Sequence, residues 1–201
     1  EGIIPLNKEH EVVESYYKKA KKTIENFSFK TDKENPISVV YTGLHGVGGE
    51  YIPKFLKENG YDNLHLVEEQ MNPSSDFFTT PSPNPEDEDV FEYGKRLGLK
   101  FNADVILATD PDVDRLGVMI KHNGKYERLG GNIIGSLLAS YILLKLRTHS
   151  DFKDKSPLII KTIVSNNLIE KIGEVFGAKF ENVHVGFKNI YAKALEKEKA
   201  E

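Results

Sequence analysis

Short apolar runs of strand length alternate along this chain with segments of helical period, and that alternation restricts it to a layered α/β fold. The strand-like runs fall at residues 37–42, 64–67, 104–109, 116–121, 126–129, 158–163 and 180–185. Over residues 8–26, Val12, Tyr16, Ala20 and Ile24 recur every four residues with Val13 and Tyr17 beside them. That is the apolar stripe of an amphipathic helix. A Gly-rich turn at 43–49 leads into a helix ending at Asn59 and Gly60, where Gly60 suits the left-handed terminator position. After a long polar stretch over 68–83, Asn84 can cap a helix and Pro85 suits its first position. The acids Glu86 and Asp87 favour its positive end. That helix is expected to run to Leu97 and stop at Gly98. Asn123 and Gly124 form a two-residue hairpin signal between the strands at 116–121 and 126–129. The expected fold class is α/β, with mixed, mostly parallel sheets flanked by helices in two consecutive units.

The second unit begins near Leu129, giving expected domains at 1–128 and 129–201. Ile133, Ile134, Leu137, Leu138, Tyr141 and Ile142 make a strongly apolar helix, and residues 148–155 read as a polar loop. Asn166 or Asn167 can cap the next helix, which ends at Gly177, and a last helix starts at Lys188. This unit offers two clear strands, fewer than a stable sheet uses. It is therefore expected to be truncated, with a sheet edge open to pairing with another copy.

Bulk chemistry excludes several classes of function. The 201 residues carry a net charge of −4, and their lysines are scattered rather than gathered into a basic stripe, so no nucleic-acid partner is expected. With no cysteine there is neither a disulfide framework nor a thiol nucleophile. No apolar run reaches the ~18 residues of a membrane span, and residues 1–5 lack the basic start and apolar core of a signal peptide. A cytoplasmic protein without a membrane partner is the expectation.

The chemistry concentrates at Thr109-Asp110-Pro111-Asp112-Val113-Asp114-Arg115. Three carboxylates alternate over five residues directly after a buried strand, and ligands of α/β sheets bind at the carboxyl ends of strands. Crowding three like charges there costs energy unless something compensates. Alternating carboxylates on a tight loop can converge on one hard cation, and with waters or a phosphate oxygen they suit octahedral Mg²⁺. Pro111 stiffens the loop, and the planar guanidinium of Arg115 can grip a phosphate oxygen. A Ca²⁺-binding EF-hand loop is rejected, because its sixth and twelfth positions hold Arg115 and Lys121 instead of Gly and Glu. A phosphatase of the haloacid dehalogenase type, with Asp110 as nucleophile, fits Asp110-Pro111-Asp112-Val113 but leaves Asp114 and Arg115 unexplained. The glycines of the 43–49 turn either let the backbone approach a phosphate or simply permit the turn, the second being favoured. His45 reads as part of that turn, packed near the site. The other histidines show no convergent spacing.

Asp110-Pro111-Asp112-Val113-Asp114-Arg115 resembles the metal loop of the α-D-phosphohexomutases. Four further landmarks follow that family's order: His45-Gly46-Val47-Gly48-Gly49, Pro83-Asn84-Pro85-Glu86, Gly130-Gly131-Asn132 and Gly186-Phe187-Lys188. Together they cover nearly the whole chain. The resemblance implies transfer of phosphate between the 1- and 6-positions of a hexose, through a phosphoserine and a bisphosphorylated sugar. It implies Mg²⁺ as cofactor on Asp110, Asp112 and Asp114, Arg115 steadying the phosphoryl group, and Gly186 and Lys188 near a sugar phosphate. The turn at 42–49 looks most like the phosphoglucomutase branch, with phosphomannomutase, phosphopentomutase and a non-catalytic binding domain as alternatives.

The same resemblance marks what the chain lacks. No Thr-x-Ser-His-Asn-Pro segment supplies a phosphoserine, and no Gly-Glu-Glu-Ser-x-Gly loop holds sugar hydroxyls. The expectation is a fragment spanning the family's second domain and part of its third, with the first and fourth as missing partners, and inactive by itself.

Overall fold

The structure is a computed structural model that describes residues 9–25, 34–148 and 156–199. They form two compact units: Phe29–Gly131, and Asn132–Glu201 together with Glu1–Ser28. The boundary thus falls a few residues beyond the expected 128/129, and the first helix goes with the second unit. The loop expected over 148–155 lies, after Thr148, outside the described residues.

The unit Phe29–Gly131 is built on a five-stranded sheet. Its strands are β1 (Val39–Thr42), β2 (Leu64–Leu66), β3 (Val105–Thr109), β4 (Leu116–His122) and β5 (Lys125–Leu129), in the order β2-β1-β3-β4-β5. β1 pairs in parallel with β2 and β3, while β3–β4 and β4–β5 are antiparallel. The sheet is mixed, as anticipated. All four β1 residues are buried, as a continuous Val-Val-Tyr-Thr run requires of a central strand covered on both faces. The hairpin between β4 and β5 turns at Asn123 and Gly124, with φ of 48° and 77°. These are the two left-handed residues of a type I′ turn, matched to strand twist.

Helix α2 (Gly48–Glu58) follows β1, and Gly60 ends it at φ 89° as expected. The other helix differs from the sequence reading. Instead of a helix over 85–97, a 3-10 turn at Glu88–Phe91 leads into α3 (Glu92–Phe101). Asn84 does not cap it; its Oδ1 accepts from the Glu86 N–H at 3.2 Å in a local turn. Gly98 is not a stop signal either. It lies inside α3, which ends at Asn102 in the left-handed region, φ 54°. A Cβ on Gly98 would lie 2.6 Å from the Tyr126 hydroxyl, and that hydroxyl is pinned by donating to the Ala103 carbonyl at 2.7 Å. Gly98 is therefore a close-packing residue, invisible without β5. The core between helix and sheet comprises Val40, Leu44, Val67, Val90, Phe91, Ala103, Ile106, Ala108 and Met119.

The second unit holds α1 (Glu9–Glu25), α4 (Gly131–Thr148), β6 (Leu158–Thr162), α5 (Leu168–Val175), β7 (Lys179–Val183) and α6 (Phe187–Glu198). β6 and β7 pair in parallel, Leu158 opposite Lys179, and are this unit's two strands among the described residues. In α4 the buried positions are Ser136 and Leu143, while Ile133, Leu137, Leu138 and Ile142 are exposed. Asn167 stands at the N-cap of α5 without a side-chain capping bond. Asn166 instead takes the Asn132 Oδ1 on its N–H at 3.2 Å. No helix among the described residues is long and apolar enough to cross a membrane.

Among the described residues of this unit, Lys161 is the buried cation. Its Nζ sits 3.1 Å from Glu170 Oε1 and donates to the Ser165 carbonyl at 3.2 Å. Hydrogen bonds from Lys161 and Asn182 hold the Glu170 carboxyl below the usual carboxylate range.

Two outcomes follow from this packing. Gly98→Ala should be destabilising by up to about 2 kcal/mol in urea unfolding: overpacking against Tyr126 costs about 1–3 kcal/mol, against about 1 kcal/mol of helix propensity gained. A more stable variant would contradict the packing. For Glu170, a depressed folded pKa means its stabilisation is present above the unfolded carboxyl value and lost as pH falls through the folded one. Thermal melts of Glu170→Gln should show a lower midpoint at neutral pH and a shallower loss of stability on acidification than the unaltered chain.

Candidate metal centre

The acidic loop leaves the carboxyl end of β3, between two strands that fix both of its ends. Thr109 is paired with Leu116, so residues 110–115 close a short connection. Within it the Val113 N–H donates to the Asp110 carbonyl at 3.1 Å. Val113 has φ 64°, a conformation costly for a β-branched residue unless its surroundings impose it.

Asp110 is the pivot. Its side chain has no exposed surface. Oδ1 accepts from the N–H groups of Asp114 at 3.1 Å and Arg115 at 3.0 Å, and Oδ2 accepts from Arg115 Nε at 2.6 Å. Burial works against its charge, but these bonds from Arg115 prevail and keep its carboxyl below the usual range. Arg115 Nη1 also donates to Asn84 Oδ1 at 3.0 Å. Asn84 therefore orients the arginine, a long-range role that its place at a helix opening concealed.

Asp112 and Asp114 are exposed, yet one carboxylate oxygen from each of Asp110, Asp112 and Asp114 can be taken such that all lie within 4.8 Å of one another. The neighbouring Asp110 carboxyl, and then the charge of Asp112, push Asp114 above the usual carboxylate range. The loop thus concentrates more negative charge than its one arginine offsets. An all-oxygen, anionic donor set of this kind fits a hard divalent cation such as Mg²⁺. The three aspartates and Arg115 singled out in the sequence are brought together.

The 43–49 turn supports the loop from behind. The Val47 N–H donates to the Pro111 carbonyl at 3.0 Å. A Cβ on Gly46 would fall 2.2 Å from the Pro111 Cα, so only glycine lets the two backbones meet. The N–H groups of Leu44, His45, Gly46 and Val47 are taken by Thr42 Oγ1, the Gln70 carbonyl, the Gly43 carbonyl and the Pro111 carbonyl. These four N–H groups are spent within the fold, so the 44–47 part of the turn is a buttress. Tyr41, fully buried beneath it, shares a 2.8 Å hydrogen bond with Thr109, and burial pushes its phenol up to about 12.

Gly186 and Lys188 belong to the other unit. Gly186 precedes α6 with φ 119°, and Lys188 lies in the first turn of α6 with an exposed side chain.

Comparison with known proteins places the chain in a family. The model of phosphoglucomutase/phosphomannomutase alpha/beta/alpha domain II matches residues 14–124, and that of domain III matches residues 130–200. The chain is 34% identical over 178 residues to a phosphomannomutase of Mycoplasmoides pirum, covering 89% of this chain and 31% of that protein. It is 36% identical over 183 residues to a phosphoglucomutase of Staphylococcus saprophyticus, covering 90% of this chain and 31% of that one. It thus spans about a third of the length of these relatives. In fold it is similar to a phosphoglucomutase/phosphomannomutase family protein of Burkholderia thailandensis, with a TM-score of 0.70, 18% identity and coverage of 93% of this chain and 36% of that one. It is also similar to the N-acetylphosphoglucosamine mutase of Aspergillus fumigatus in complex with GlcNAc-6P and magnesium, with a TM-score of 0.61, 20% identity and coverage of 92% and 37%. The chain belongs to the phosphoglucomutase/phosphomannomutase family and matches its domains II and III.

Proposed function

We propose that the full-length protein carrying this chain is a Mg²⁺-dependent phosphohexomutase, with phosphoglucomutase its first assignment. It would interconvert hexose 1-phosphate and hexose 6-phosphate through a phosphoserine and a bisphosphate intermediate. The observation that carries this reading is the convergence of Asp110, Asp112 and Asp114 beside Arg115 at a strand end, in a chain of this family. Residues 1–128 would serve as domain II and 129–201 as part of domain III, in keeping with the matched spans. Relatives named phosphomannomutase and phosphoglucomutase match at 34% and 36% identity, so the choice of sugar rests on the likeness of the 42–49 turn. The absence of cysteine suits a reducing, cytoplasmic setting.

In this reading the three aspartates hold Mg²⁺. Bound there, the ion supplies withdrawal of charge from the phosphorus under attack. Asp110 contributes a carboxylate kept ionised and fixed by Arg115. The Arg115 guanidinium has five N–H groups, and its bonds to Asp110 and Asn84 use two of them. The rest are free of those bonds to steady a phosphoryl oxygen. Lys188 and Gly186, at the opening of α6, would lie near the sugar phosphate, where a helix N-terminus favours anions. The phosphatase reading is less favoured: it leaves Asp114 and Arg115 without a role, whereas the three carboxylates converge and Arg115 fixes Asp110.

In a coupled assay of the full-length protein with Mg²⁺ and a hexose bisphosphate primer, glucose 1-phosphate should be turned over faster than mannose or pentose 1-phosphate. Asp112→Asn should lower turnover by about 100-fold. Equal activity in the variant would remove the loop from the mechanism. The 201-residue chain alone, having no phosphoserine segment, should show no mutase turnover above background; enzyme-like conversion of glucose 1-phosphate by it would overturn the phosphoserine route.

A further inference from the structure

His45 is 2% exposed, and its imidazole sits in a chain of polar contacts that neither the metal loop nor the sheet explains. Its Nδ1 lies 3.3 Å from the Asn72 carbonyl and its Nε2 2.8 Å from Thr79 Oγ1. Thr79 Oγ1 also accepts from Gln70 Nε2 at 2.9 Å, and Gln70 Oε1 accepts from Thr42 Oγ1 at 2.7 Å. Gln70 and Thr42 are fully buried.

Donor and acceptor chemistry orders this chain in one direction. A carbonyl only accepts, so Nδ1 carries the proton that reaches Asn72. Thr79 already receives the Gln70 amide, and its own O–H then finds its acceptor in an unprotonated Nε2. Thr42 likewise receives the Leu44 N–H at 3.1 Å and donates onward to Gln70. With the proton on Nδ1, each donor in the series has an acceptor, and that is the tautomer assigned here from the hydrogen-bond pattern. Two backbone bonds reinforce it: His45 N–H to the Gln70 carbonyl at 2.8 Å, and Ser74 N–H to the His45 carbonyl at 3.0 Å. Leu44, His45 and Phe77 adopt φ of 44°, 60° and 43°. These costly conformations lie on the two segments that the network ties together.

The next residues in the chain, Gly46 and Val47, meet the backbone of Pro111 between two of the acidic ligands. We propose that His45 is a positioning residue for the metal loop: through Thr79, Gln70 and Thr42 it locks the 70–80 segment onto the 43–47 turn, and so sets where Pro111 holds Asp110 and Asp112. This rests on the metal reading of the three aspartates. His45 touches no ligand itself; its role passes through backbone contacts.

The test is Mn²⁺ binding, followed by electron paramagnetic resonance on the full chain well below its melting temperature, with circular dichroism verifying the fold. His45→Ala should weaken Mn²⁺ affinity about tenfold, the lower end of what supporting residues around a metal site contribute. Thr79→Val, close to isosteric and milder for folding, should weaken it in the same direction. Thr79→Ser, which keeps the hydroxyl, should restore it. Folded Thr79→Val with unaltered affinity, while Asp112→Asn loses binding, would overturn the positioning role and leave the metal site standing. Binding unaffected by Asp112→Asn would overturn the metal reading and this inference with it.

Discussion

The bond between buried Asp110 and Arg115 is the contact on which the rest of the site depends. A carboxylate without exposed surface survives ionised only when charge and hydrogen bonds replace its water. Here Arg115 does both, with its backbone N–H on one oxygen and its Nε on the other. The loop must therefore fold back on itself within five residues, and Val113 is driven to positive φ in doing so. That reversal brings the exposed Asp112 and Asp114 back toward Asp110. The energetic tension among three carboxylates is what a divalent cation would relieve.

The scaffold around the loop is stiff for the same purpose. β3 is central, paired on both sides, and buried at Ala108 and Thr109, so the strand end cannot drift. Gly46 admits the Pro111 backbone to a distance that no other residue would allow, and Asn84 holds the far side of Arg115. Among the described residues, six non-glycine positions have positive φ. Asn102 and Asn123 serve ordinary helix and hairpin ends. The other four, Leu44, His45, Phe77 and Val113, lie in the loops that make or buttress the site. Among the described residues, these strained conformations thus gather in the acidic loop and the segments packed against it.

Much of this was legible in residue order because the signals were local. The β-branched runs marked the strands, Asn123 and Gly124 marked the hairpin, and the alternation of Asp110, Asp112 and Asp114 marked the loop where the carboxylates converge. What escaped depended on partners far along the chain. Gly98 looked like a helix terminator because Tyr126, the residue that requires a glycine there, is on another strand. Asn84 looked like a cap because Arg115, its true partner, is 31 residues away. The apolar run in α4 gave a strongly apolar helix, but Ile133, Leu137, Leu138 and Ile142 are exposed, since an apolar run does not report what covers it. The His45, Gln70 and Thr79 network left no pattern at all, because hydroxyl, amide and imidazole groups meet there through tertiary packing alone.

The central claim is that three carboxylates of one loop bind one hard cation. Its most direct test is a crystal of the chain grown with Mn²⁺, an ion suited to the same octahedral oxygen environment, and an anomalous difference map. The account predicts a peak coordinated by oxygens of Asp110, Asp112 and Asp114 together, in an octahedral arrangement completed by other oxygens. A peak bound elsewhere on the chain, with this loop unchanged and empty, would contradict it.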